Sequence, residues 1–143
     1  MSGTSLDGID TALLDLSGNT PKLLAKYYQA YPEVLREELL ALHHYSQNEL
    51  HQAQLVANEL AQSYAKATRQ LLLDANVNTK QVRAIGCHGQ TVRHCPDSGY
   101  TLQLGNAALP AHLREVVLLR NDFHLADILP QVDGAITERR HAH

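Results

Sequence analysis

Tryptophan is absent from this chain, and phenylalanine and methionine occur once each. So few aromatic rings weaken any reading that needs bases stacked on side chains. An excess of positive charge is also missing. The formal net charge is −3, whereas a general nucleic-acid binder carries a basic face. No apolar run approaches the roughly 20 residues of a membrane-spanning helix. No basic-then-apolar segment of the secretory type opens the chain. Cysteine occurs only at Cys87 and Cys95, too sparsely for a disulfide framework. Reduced thiols and a cytoplasmic location are therefore expected. Three common motifs are missing: the Gly-Lys-Ser/Thr ending of a Walker loop, a dinucleotide fingerprint and a Gly-x-Ser-x-Gly elbow. What is present is an ordinary globular balance. With 143 residues, 44% hydrophobic and 19% charged, the chain can form one domain with a real core.

The pattern along the chain alternates strand and helix signals. Ile9–Leu16 and Lys22–Ala30 read as antiparallel strands around the Ser17-Gly18-Asn19 turn, part of a meander of two or three strands. Pro32 opens a helix with Val34, Leu35, Leu39, Leu40 and Leu42 on one broad face. Ser46, with Glu49 three residues later, has the form of a capping box. A long helix is predicted from about Gln47 to Ala75, because Leu50, Ala53, Val56, Ala57, Leu60, Ala61, Tyr64, Ala67, Leu71 and Leu72 recur at helical spacing. Asn76–Thr79 ends it. Short strands follow at Val82–Cys87, Gly89–Arg93, Tyr100–Leu104 and Val116–Leu119, with a helix expected over Asn106–Arg114. No periodicity is visible from Leu129 onward. There are no internal repeats and no linker, so the order of elements reads as one α/β unit.

Three polar clusters could carry chemistry. The first is Met1-Ser-Gly-Thr-Ser-Leu-Asp-Gly-Ile-Asp10, where Asp7-Gly8 is a two-residue turn signal. Such a turn can aim amides and hydroxyls at a phosphate, with glycine allowing close approach. The carboxylate of Asp7 beside it suits hydrated Mg²⁺. An ordinary surface hairpin has the same local pattern. The second is Ile85-Gly-Cys-His-Gly-Gln-Thr-Val92, at the end of a predicted strand, where α/β sheets bind ligands. His88, Gln90 and Thr91 offer donors and acceptors that suit a polyhydroxylated ligand such as a sugar. A glycine-rich turn with a satisfied histidine is the plainer alternative. The third comprises Asp122-Phe123-His124 and Ala126-Asp127-Ile128, which could position a ligand or simply cap a turn. Cys87, His88, His94 and Cys95 do not have the spacing of a structural zinc site, and adjacent extended residues point to opposite faces. His43, His44 and His51 are expected on helical surfaces.

Taken in order, Met1–Asp10, Ala84–Val92, Thr101–Gly105 and Asp122-Phe123 with Ala126–Ile128 resemble the N-terminal part of the anhydro-N-acetylmuramic acid kinases. The resemblance covers residues 1 to about 128. It implies an incomplete N-terminal α/β lobe of the actin, Hsp70 and sugar-kinase (ribonuclease H-like) fold, whose two lobes bind ATP in the cleft between them. The implied reaction converts 1,6-anhydro-N-acetylmuramic acid, ATP and water to N-acetylmuramic acid 6-phosphate in peptidoglycan recycling. By the same resemblance Gly3, Thr4, Ser5, Leu6, Asp7, Gly8, Ile9 and Asp10 would form the ATP phosphate hairpin, with Asp7 near Mg²⁺. His88, Gly89, Gln90 and Thr91 would lie near the sugar. The family is homodimeric.

The chain departs from the family pattern in three places. Strand residues that normally precede the Met-Ser-Gly-Thr-Ser segment are not present. Leu129–Asp133 stands where the family has a glycine-rich run. The later Asp-Thr-Gly-Pro-Gly region, which would supply the general base, does not occur. Ile128–Asp133 can be written ATA TTG CCG CAG GTG GAC, which from its third base reads Ile-Ala-Ala-Gly-Gly. A frameshift at or just before Ile128 is therefore expected, leaving a non-native or disordered tail over 129–143. On this view these residues alone would show no turnover. A non-catalytic lobe that binds phosphate or amino sugar, and an inert fragment that aggregates through exposed apolar surface, are the competing readings.

Overall fold

The structure, a computed structural model, describes residues 6–106 and the backbone of one further strand, Val117–Arg120. Met1–Ser5, residues 107–116 and everything after Arg120 lie outside the described residues. So do most of the helix expected over Asn106–Arg114, the Asp122–Ile128 cluster and the expected tail.

Two strands open the fold, β1 (Gly8–Asp15) and β2 (Lys22–Ala30). They pair antiparallel from Gly8 opposite Ala30 to Asp15 opposite Lys22, with an irregularity between Leu13 and Leu14. Thr11 Oγ1 donates to the Tyr27 carbonyl at 2.8 Å and adds a side-chain tie across the pair. Helix α1 (Glu33–Ala41) starts immediately after Pro32, whose carbonyl accepts from the Arg36 amide at 3.0 Å. Proline suits this place because it has no amide to leave unpaired at a helix start.

Helix α2 (Glu49–Asp74) is the longest element. Its apolar stripe of Ala53, Val56, Ala57, Leu60, Ala67 and Leu71 is buried, as the spacing predicts, but Leu50, expected on the same stripe, is exposed in the first turn of the helix. The capping box expected from Ser46 does not form. Asn48 is the N-cap residue, at φ 59° and without a side-chain cap bond. The physical reason is that the Glu49 carboxylate is taken by Arg93 at 2.7 Å instead of reaching back to the chain before it. At the other end Asn76 adopts φ 52°, and Val77 N–H and Asn76 N–H donate to the Leu72 and Leu73 carbonyls at 2.9 and 3.0 Å. This double closure around a left-handed residue is a Schellman cap, a geometry that asparagine tolerates.

The second half adds β3 (Ala84–Cys87), β4 (Gln90–Cys95), β5 (Tyr100–Leu104) and β6 (Val117–Arg120). β4 and β5 form an antiparallel hairpin, whereas β3 and β6 pair in parallel from Ala84 opposite Val117 to Cys87 opposite Arg120. A parallel pair requires a crossover connection, here everything between Cys87 and Val117. The core gathers Leu6, Ile9, Tyr31, Leu35, Leu39 and Leu42 with Ala53, Val56, Ala57, Leu60 and Ala67 of α2 and with Val92 and Leu104 of the β4–β5 hairpin. Both polar turns are therefore anchored in one apolar cluster. His43 and His44 lie in the turn after α1 rather than on a helix. His51 is on α2, exposed.

Candidate functional site

The first turn is held from below and tied from the side. Leu6 has φ 54°, a left-handed conformation that is costly for a residue with a branched side chain. Its side chain is fully buried, as is that of Ile9. Only the main chain of these two residues can meet a ligand, while their side chains fix the turn to the core. Between them Asp7 is exposed. Its carbonyl accepts from Tyr28 Oη at 2.9 Å and from the Tyr31 amide at 3.4 Å. Gly8 is buried against β2. A Cβ there would overlap the Gln29 carbonyl and sit 2.8 Å from the Tyr28 ring. Glycine is thus required by packing at the point where the chain enters β1. Asp10 is half-buried and stands opposite Tyr28 in the β1–β2 register. Gly3, Thr4 and Ser5 lie outside the described residues.

The second turn joins β3 to β4. Gly89 adopts φ +74°, and its amide donates to Cys87 Sγ at 3.4 Å. A Cβ on Gly89 would overlap the Leu104 carbonyl oxygen and lie 2.9 Å from the carbonyl carbon. The Cys87 thiol is pushed up by burial, so it stays protonated at neutral pH. The His88 imidazole is pushed down by burial, so it is neutral there and offers one donor and one acceptor. Thr91 is half-buried, with Oγ1 accepting from Gln103 Nε2 at 3.4 Å.

Gln90 has an unexpected position. The sequence groups it with His88 and Thr91 as a ligand contact, yet its side chain is fully buried, at 0% exposure. Its Oε1 accepts from Tyr31 Oη at 3.3 Å, and its Nε2 donates to the Thr91 carbonyl at 3.2 Å. Among the described residues its side chain is enclosed by the protein. Tyr31 therefore touches both turns, with its amide on Asp7 and its hydroxyl on Gln90.

Next along β4, Arg93 gathers the helix junction. Its Nη2 donates to the Leu42 and His44 carbonyls at 3.2 and 3.4 Å and pairs with Glu49 at 2.7 Å. The guanidinium also lies 4.3 Å from the Tyr45 ring centroid. His94 Nδ1 is 2.8 Å from Thr101 Oγ1 across the β4–β5 hairpin. Among the described residues no group of three or more histidines, cysteines or carboxylates could hold a metal ion. No helix among them is long and apolar enough to cross a membrane.

The bend at Asp7, followed by the packed Gly8 of β1, and the β3–β4 turn at Gly89 thus share one core and one bridging tyrosine. A family model described as anhydro-N-acetylmuramic acid kinase matches residues 1–135. The chain belongs to the anhydro-N-acetylmuramic acid kinase family. Curated members similar to it include the anhydro-N-acetylmuramic acid kinase of Nitrosospira multiformis, 48% identical over 137 residues that make up 94% of this chain and 37% of that protein. The Bordetella pertussis protein of the same name is 50% identical over 135 residues, 94% of this chain and 35% of its own length. That of Nitrosomonas europaea is 44% identical over 137 residues, 94% and 38% respectively. The chain spans a little over a third of the length of the curated relatives it matches.

Sequence reasoning did not single out Tyr31, Tyr28 or Arg93. The one local signal for Tyr31 is its place before Pro32, which holds a residue in extended backbone. Nothing local marks Tyr28 or Arg93, whose partners lie far along the chain.

Proposed function

We propose that this chain provides the N-terminal α/β lobe of a cytoplasmic, ATP-dependent kinase that converts 1,6-anhydro-N-acetylmuramic acid and water to N-acetylmuramic acid 6-phosphate in peptidoglycan recycling. The observation that carries this reading is the shared anchoring of the Asp7–Gly8 turn and the His88–Thr91 turn through Tyr31, in a chain that matches this family over residues 1–135. Phosphoryl transfer requires mainly positioning and charge neutralisation. In this reading the main chain of Gly3–Asp10 meets the ATP phosphates, and the second turn presents neutral His88, Gly89 and Thr91 to the sugar. Gln90 supports that turn from inside.

The donor set fits Mg²⁺ of the kind that keeps most of its waters. Asp7 places one exposed carboxylate beside a glycine turn, which suits an ion shared with phosphate oxygens better than an ion in an all-protein cage. Bound there, the ion would neutralise phosphate charge. The family's general base is expected from a later segment. The 143 residues alone are therefore expected to bind both ligands without turning over. Titration calorimetry of the whole chain with MgATP and with 1,6-anhydro-N-acetylmuramic acid tests the reading. Heat from both ligands, with MgATP binding weakened in Asp7→Asn only when Mg²⁺ is present, supports it. No heat from either ligand refutes it, and product formation by this chain refutes the assignment of the base.

A further inference from the structure

We propose that Gln90 is a positioning residue that works from inside the core: with Tyr31 it locks the conformation of the phosphate turn to that of the sugar turn. The inference rests on the proposed function for the identity of the two ligands, and on the geometry for the link itself.

A fully buried primary amide is an unusual core side chain, because leucine or methionine would fill the same space without polar atoms to satisfy. Its presence makes sense only if both ends of the amide are used. Here they are. Oε1 accepts from Tyr31 Oη and Nε2 donates to the Thr91 carbonyl, so the amide orientation is fixed from two sides. Tyr31 is itself nearly buried and follows directly on β2, which pairs with β1. Its amide holds the Asp7 carbonyl, to which Tyr28 Oη also donates. Two hydrogen bonds therefore link the Thr91 carbonyl through the Gln90 amide to the Tyr31 hydroxyl, and the covalent frame of Tyr31 carries the link on to its amide, which bonds the Asp7 carbonyl. Hydrogen bonds in such a series share their geometry inside a low-dielectric core. A shift of the sugar turn that rotates the Gln90 amide must move Tyr31 Oη or break its bond, and the Tyr31 amide bonds the Asp7 carbonyl. Two ligands that must meet for transfer would benefit from turns that hold a fixed relation.

Coupling is the property to measure, because spatial continuity alone does not establish it. The whole chain would be prepared as wild type, Tyr31→Phe, Gln90→Met and the double variant, and followed by amide exchange and amide chemical shifts. Gln90→Met is expected to speed exchange of the Tyr31 amide roughly three- to tenfold relative to the Leu60 amide in the core. It should also shift the Asp7 and Gly8 amides, and the double variant should do no more than the larger single one. Val92→Ala, a core change on the same strand, is the control. It should speed the Leu60 and Tyr31 amides in equal proportion. The proposal is overturned if Gln90→Met behaves like Val92→Ala, or if the two single effects add. Calorimetry with MgATP and with the anhydro sugar on the same variants separates the other question. A wild type that shows the exchange linkage but binds neither ligand upholds the link and sinks the ligand assignment. Ligand binding without linkage does the reverse.

Discussion

Gly89 and Gly99 form a natural controlled pair. Both adopt the left-handed conformation, at φ +74° and +73°, but a Cβ at Gly99 would have nothing within 4 Å, whereas one at Gly89 would overlap the Leu104 carbonyl. Alanine at either position meets the left-handed penalty of about 1–2 kcal/mol, offset by about 0.4–1 kcal/mol from the reduced freedom of the unfolded chain. Gly99→Ala should therefore cost about 0–1.6 kcal/mol net. Gly89→Ala carries the same cost plus that of forcing two backbones apart. The atom in the way belongs to β5 at the residue paired with Gln90, so it cannot swing aside as a flexible side chain would. Overpacking of this kind costs about 1–3 kcal/mol. At about 4 °C per kcal/mol for a domain of this size, the two variants should differ in melting midpoint by about 4–12 °C. Circular dichroism melts at matched concentration, with urea titrations to check the slope, would measure it. Equal losses in the two variants would refute the claim that contact with Leu104 holds the β3–β4 turn in place.

Other substitutions probe the remaining ties. Gly8→Ala should lower the melting midpoint and displace the Asp7 amide resonance, because its Cβ meets the Gln29 carbonyl and the Tyr28 ring; an unmoved resonance would count against the packing argument. The His88 imidazole, pushed down by burial, should titrate below the usual imidazole range by NMR. Its contribution to stability is present above the unfolded value and lost as pH falls through the folded one, so His88→Gln should flatten the stability profile on that acid side. Glu38 is pushed up first by burial and then by Glu59, and its Oε2 is buried without a partner among the described residues. Its carboxyl is most compatible with the fold below the unfolded carboxylate range and disfavours it as pH rises through the folded value. Glu38→Gln should therefore raise the urea midpoint at pH 7 and lose that gain near pH 3; no gain at pH 7 would contradict this. Arg93→Lys should lower the urea midpoint, since an ammonium cannot reproduce the planar contact with Tyr45 together with the Leu42, His44 and Glu49 bonds.

The elements were readable where one local rule dominated. β2 spans Lys22–Ala30 as its residue types predict, and α2 departs from the predicted Gln47–Ala75 only at its ends, because a stripe of alanines, leucines and valines at helical spacing has one good solution. The start of α2 was less readable, because Ser46 and Glu49 carry a capping signature that a distant arginine overrides. The Gly89 turn was legible as a turn, whereas the Asp7-Gly8 turn signal was not met in that form: Gly8 is already the first residue of β1, opposite Ala30, and the left-handed residue before it is Leu6. The reason each glycine is needed was not legible, since the obstructing carbonyls of Gln29 and Leu104 come from other strands.

Gln90 shows how a motif can be legible while the roles inside it are not. In the run His88-Gly-Gln-Thr91 four polar or permissive residues stand together, and nothing local ranks them as ligand contacts. The strand alternation beginning after Gly89 sends Gln90 and Val92 inward while Thr91 and Arg93 are only partly covered. A polar residue on the inward side of such an alternation must find its partners within the protein, and Gln90 finds Tyr31, which the sequence places between a strand and a helix in another part of the chain. Conversely, if Gln90 turned toward a ligand, its amide would have to leave the Tyr31 hydroxyl. The burial of Gln90 thus separates it from its neighbours: His88 and Thr91 are only half-buried, whereas Gln90 is enclosed and bonded to Tyr31 and the Thr91 carbonyl.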